Sequence, residues 1–140
     1  MRLIYNKNTQ DPTWQQLVNF LIADQTDRKE YIKDVYVCSG FTEDVHNNAE
    51  ATGIRTAIVY VGFKDSAISH GLNAFNTTDS GLVFIDSTSV SGIIDRTWDR
   101  VTYIRGGEQH GEIHLGVPIQ SFEHEFYQTS YTQLQQRITQ

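Results

Sequence analysis

Residues Tyr36 to Gly53 read YVCSGFTEDVHNNAEATG and hold the only cysteine of the 140-residue chain. Phe41, Val45 and Ala49 recur at helical spacing, with Thr52 next along the same stripe. Gly53 is a natural stop, so the stretch predicts a helix from about Ser39 to Thr52. Cys38 then stands at its opening, where unpaired N–H groups and the positive end of the helix dipole favour a thiolate. Two readings stay open here: a small buried core residue, or a nucleophile. A free thiol is mostly protonated near neutrality, so the second reading needs an imidazole within reach.

Upstream, Asp11-Pro12-Thr13 followed by WQQLVNFLIAD reads as a helix start, with Thr13 and Gln16 matching a capping box. Trp14, Leu17, Val18, Leu21 and Ile22 give that helix one apolar face. The charged segment from Asp24 to Asp34 reads as a surface connection. Downstream, Arg55 to Phe63 is rich in β-branched and aromatic residues and predicts a buried strand.

Leu72 to Asn76 and Leu82 to Asp86 flank a polar stretch ending in Gly81, an antiparallel hairpin signal. A second pair is expected from Arg100 to Arg105 and Glu112 to Val117 about a turn at Gly106-Gly107. A helix is expected from Tyr131 onward. Two helices followed mainly by antiparallel strands make an α+β order, with the cysteine-bearing helix packed on an antiparallel sheet. The length suits one domain, residues 1–140.

Charge narrows the partners. A net charge of -6, with no basic run longer than Arg28-Lys29, argues against nucleic acid and against an anionic membrane surface. Apolar runs of about five residues fall far short of the roughly 20 that a membrane span requires, so no membrane insertion is expected. A lone cysteine excludes an intramolecular disulfide. The opening MRLIYNKNTQ carries no apolar signal core, and neither cell compartment nor oligomeric state is assigned. Asn76-Thr77-Thr78 matches the glycosylation acceptor pattern, which matters only in a secretory pathway.

Five histidines are candidates to partner Cys38: His46, His70, His110, His114 and His124. His46 lies along the same helix, away from its N-terminus, and is set aside. His70 opens the first hairpin strand. With the turn centred near Thr78 or Asp79, it faces residues 86 to 88, of which Asp86 alone is acidic. A carboxylate there would take the second ring N–H and fix the tautomer. The pairing depends on register, because a slip of one residue turns Asp86 to the other face.

These pieces together resemble the transglutaminase-like core, a superfamily of papain-like cysteine-protease architecture with a Cys, His, Asp order along the chain. The resemblance rests on Cys38 with Phe41, on AEATGIRTAIV, on SHGLNAF and on GLVFIDST, and it covers about residues 13–88. Residues 89–140 would supply C-terminal strands and a helix of the same domain. The resemblance is nearest to a prokaryotic subgroup, and the calcium of the animal crosslinking enzymes is not carried over. The chain departs from many members in having Gly71-Leu72 after the histidine and Ser87 after the aspartate.

The resemblance implies acyl transfer through a thioester on peptide, protein or peptidoglycan-like amides. Cys38 would be nucleophile, His70 proton shuttle and Asp86 its orienter; no cofactor is implied. Water as acceptor gives hydrolysis, and its ready supply favours that outcome; an amine gives crosslinking. The alternative is a non-catalytic binding domain that keeps the fold.

Other signals carry less. His110 and His114 are four apart with Glu112 between, but strand geometry sets such residues about 13 Å apart, so no metal site is expected. Asp95-Arg96 and Asp99-Arg100 read as surface charge around a core-anchored Trp98. Tyr5, Tyr31, Tyr36 and Tyr60 read as core or rim residues.

Overall fold

The structure, a computed structural model, describes residues 1–63, 69–89, 91–92, 97–103, 111–114, 124–126 and 134–139. Helix α1 spans Trp14–Ala23. Thr13 caps it reciprocally with Gln16: the Gln16 N–H donates to Thr13 Oγ1 at 3.1 Å, and the Thr13 N–H donates to Gln16 Oε1 at 2.9 Å. The buried face is Leu17, Phe20 and Leu21, whereas Ile22, expected on it, is 60% exposed. The stripe is thus rotated by about a fifth of a turn toward Phe20.

Helix α2 spans Cys38–Ala51 and buries Phe41, Val45 and Ala49 as its spacing predicts. It ends in a paired turn in which Ile54 N–H donates to Ala49 O and Gly53 N–H to Glu50 O. Gly53 adopts φ 88°, the left-handed conformation that such an ending requires. No side chain caps its N-terminus at Val37; the Gly40 N–H donates to Val37 O at 2.8 Å, which leaves the N–H groups of Cys38 and Ser39 without a partner inside the helix.

Strands β1 (Ala57–Phe63), β2 (Ser69–Thr77), β3 (Gly81–Asp86), β4 (Arg100–Tyr103), β5 (Gly111–His114), β6 (His124–Phe126) and β7 (Leu134–Thr139) form one antiparallel sheet among the described residues. Their spatial order is β6-β5-β4-β3-β2-β1-β7. The protein is therefore α+β, and α2 packs against β2 and β1. Alternation sorts the central strands. Phe75, Val83 and Ile85 join Leu17, Phe20, Leu21, Val45 and Ala49 in the core under the helices. Ala57, Val59, Val61, Leu72 and Ala74 form a second cluster, with Phe84 packed against it.

Three expectations need correction. The helix expected from Tyr131 is strand β7 over its described part, paired with β1 from Phe63↔Leu134 to Ile58↔Thr139. Leu134 and Ile138 are four apart, a spacing that suits either period; the backbone groups on the free edge of β1 decide for a strand.

Asp24 to Asp34 is not wholly surface, since Thr26 and Asp27 are buried in a 3-10 turn, Thr26–Arg28. Asp99 and Arg100 are likewise buried, at 4% exposure each, because polar partners there replace water. Trp98 is buried as expected. Gly106-Gly107, His110, Asp95 and Arg96 lie outside the described residues, as do residues 104–105 and 115–117 of the strands expected around that turn.

Candidate active site

The site is assembled at the N-terminus of α2 and the adjoining ends of β2 and β3. Gly71, on the α2 side of β2, lets the helix approach: a Cβ there would stand 3.0 Å from Thr42 Oγ1. The Thr42 hydroxyl donates to Cys38 O at 2.6 Å, and Asn73 Nδ2 donates to Thr42 O at 3.0 Å. A buried amide and a missing side chain thus seat the first turn of α2 on β2.

Cys38 is the first helical residue and only partly exposed. His70 and the backbone N–H of Gly71 both hydrogen-bond its sulfur. Burial pushes the thiol up, but the His70 bond, the Gly71 bond and the His70 charge outweigh it, and the thiol lies below its ordinary value.

The other face of the imidazole meets Asp86: His70 Nε2 lies 2.7 Å from Asp86 Oδ2. That contact leaves Nδ1 for the sulfur. The observed register, Asn73↔Ile85 through Thr77↔Gly81, keeps His70 and Asp86 on one face, as the pairing demands. Burial lowers the imidazole, yet the Asp86 charge, the Asp86 bond and the Cys38 interactions raise it to about 10. Asp86 is itself buried, which raises it, but the His70 charge and bond, then Arg100 and the Thr88 N–H, hold it well below the usual carboxylate range. The three expected residues therefore meet in one place, and their preferred charges alternate along the line.

No protein-family model matches the chain, and no curated protein or solved structure is significantly similar to it.

Sequence reasoning missed the residues behind Asp86. Arg100 Nη2 lies 3.1 Å from Asp86 Oδ1 and donates to Thr88 O at 2.8 Å. The Thr88 N–H also donates to Asp86 Oδ1, at 2.9 Å. Ser87 donates to Asp99 Oδ1 at 2.7 Å, and Asp27 Oδ2 accepts the Trp98 N–H at 2.8 Å and the Asp99 N–H at 3.3 Å. Burial, with the Asp27 charge beside it, raises Asp99 to about 8. No local pattern in the sequence pointed to them, because Asp99 and Arg100 meet these partners only once β4 pairs with β3.

Tyr36 does not offer its hydroxyl to the site. It donates to Asp44, while the ring packs on Phe41 at 4.4 Å between centroids. Tyr60 stands opposite Gly71 in β1, and burial followed by the Cys38 charge raises its phenol. His46 is fully buried, with Nδ1 3.1 Å from Asn47 Oδ1. His114 and His124 fall in β5 and β6. Among the described residues, no three His, Cys, Asp or Glu side chains are grouped so as to hold a metal ion.

Proposed function

We propose that the protein is a cysteine-dependent amide hydrolase or acyltransferase with a transglutaminase-like core, acting through a thioester on peptide, protein or peptidoglycan-like amides. The observation that carries this reading is the position of His70, bonded at once to Cys38 and, at 2.7 Å, to Asp86. A structural cysteine needs no imidazole, and a structural histidine needs no buried carboxylate aimed at its second nitrogen.

The chemistry follows from those charges. Cys38 Sγ attacks the amide carbon and forms a C–S bond, while the carbonyl electrons move to oxygen. The Cys38 N–H has no intrahelical acceptor and sits at the positive end of α2, so it can meet that oxyanion. His70 Nδ1 gives its proton to the leaving nitrogen as the C–N bond breaks, which releases an amine and leaves the thioester. Water then attacks the thioester, His70 takes its proton, and the C–S bond breaks to free the acid. An amine in place of the water yields a new amide.

The test is turnover of a panel of peptides and muropeptides, with product masses read for the wild type and Cys38→Ala. Added hydroxylamine should divert the acyl group to a hydroxamate. Hydroxamate from the wild type alone is the expected result. No product from any amide, with Cys38 no more reactive than a free thiol, would favour the non-catalytic binding domain.

A further inference from the structure

We propose that Arg100 is a positioning residue for the Cys38–His70–Asp86 relay, locking the Asp86 carboxylate so that Oδ2 stays on His70. The proposal rests on the reading of Cys38 as a nucleophile. A carboxylate can turn about its Cβ–Cγ bond and offer either oxygen. Here Oδ2 takes His70 at 2.7 Å, while Oδ1 is held by the Thr88 N–H at 2.9 Å and Arg100 Nη2 at 3.1 Å. Two donors on one oxygen fix the plane of the group and hence the direction of the other oxygen.

Arg100 is well placed for this. It pairs with Asp86 directly across β3 and β4, and the two side chains are only 5% and 3% exposed. The same Nη2 holds Thr88 O at 2.8 Å, and the guanidinium lies 5.7 Å from the centre of the Trp98 ring. A planar guanidinium keeps its donors in a fixed fork, which a flexible ammonium does not.

Charge makes a second demand. When His70 hands its proton to the leaving amine it becomes neutral, and Asp86 loses its nearest cation. A buried carboxylate without a counter-charge would tend to take a proton and let go of the imidazole. Arg100, always protonated, keeps Asp86 ionised through that step, so His70 can accept the proton of the incoming water. The other ionisable groups about the relay are Tyr60, beside which lies the charge of Glu43, with Asp99 and Asp27 behind Ser87.

The rate of Cys38 alkylation by iodoacetamide against pH tests the proposal in the full chain, for the wild type, Arg100→Met, Arg100→Lys, Asp86→Asn and the double variant Asp86→Asn/Arg100→Met. Loss of the guanidinium should move the reactivity midpoint up by about one pH unit or more, since both a lost cation and a turned carboxylate destabilise the thiolate. Arg100→Lys should recover part of that shift, and the double variant should match Asp86→Asn. An Arg100→Met profile that overlays the wild type, with only the melting temperature lowered, would overturn the proposal. Additive shifts in the double variant would do the same.

If Arg100→Met does not fold, the comparison of Asp86→Asn with the double variant decides, because the latter buries no lone charge. His70→Ala separates the two levels of the account. A wild-type profile unmoved by His70→Ala overturns the nucleophile reading and the proposal with it; a normal His70 dependence with inert Arg100 variants overturns the proposal alone.

Discussion

His70 and Asp86 meet on the diagonal of their hairpin and not straight across it. Continuing the β2–β3 register sets Leu72 opposite Asp86 and His70 opposite Thr88, yet Nε2 and Oδ2 are 2.7 Å apart. Diagonal neighbours on one face stand about 7–8 Å apart at the backbone, within reach of an imidazole and a carboxylate turned toward each other. The arrangement leaves Thr88 free to donate its N–H to the second carboxylate oxygen.

Asp86→Asn should keep the shape and remove the charge. His70, raised to about 10 largely by that carboxylate, should titrate well below that value, as followed by the ring-proton NMR shifts. Turnover should fall by about 10²-fold or more, the scale of a positioned proton-transfer group. An unshifted imidazole would mean that Asp86 does not govern it.

The pH profile of kcat/KM should be bell-shaped. Activity rises as Cys38 ionises, below the ordinary thiol range, and falls as His70 loses its proton near about 10. Below the first limb the nucleophile is protonated, and above the second no acid remains for the leaving amine. A single rising limb with a midpoint at the free-thiol value, about 8.5, would contradict the ion pair.

Gly71→Ala should disturb the nucleophile through packing alone. The added methyl would press on Thr42 Oγ1 at 3.0 Å, and that hydroxyl is bonded to the carbonyl of Cys38. Urea unfolding should show a loss of roughly 1–3 kcal/mol, typical of an overpacked contact, together with slower Cys38 alkylation. Thr42→Ala in the same background should restore part of both. A variant as stable and as reactive as the wild type would remove the close approach of α2 from the account.

Asp99→Asn should stabilise the fold increasingly as pH rises. Asp99 is raised to about 8 by burial and by Asp27, so in the acid range both the folded and unfolded forms are neutral. Between about 4, the ordinary carboxyl value, and 8 only the unfolded chain has released the proton, and folding stability falls through that window. The amide cannot ionise, and it can still accept from Ser87. Thermal melts should show a gain that widens from about pH 5 to about pH 8, on the order of 4–5 kcal/mol at the upper end. A gain independent of pH would mean that Asp99 is ionised in the fold.

Local rules made much of the architecture readable. Thr13 with Gln16, the Phe41, Val45, Ala49 stripe and Gly53 are decided by neighbours within one or two helical turns, and those features stand where they were expected. Turn position bounded the hairpin register to within two residues, and the observed register, at the Thr88 end of that range, keeps His70 and Asp86 on one face. What stayed hidden depends on partners far along the chain. Asp27 and Asp99 look like surface charges until the 3-10 turn carrying one is packed on the backbone of the other. Arg100 looked solvated for the same reason, since only strand pairing sets it against Asp86. Strand β7 was misread because its few apolar residues fit either period, and the open edge of β1 lies some 70 residues away.

The most direct measurement is the ultraviolet absorbance of the Cys38 thiolate against pH, in the wild type and in His70→Ala. The account predicts a wild-type midpoint below the ordinary thiol value and a clear upward move when the imidazole is removed. Two superimposed curves at the free-thiol position would contradict it.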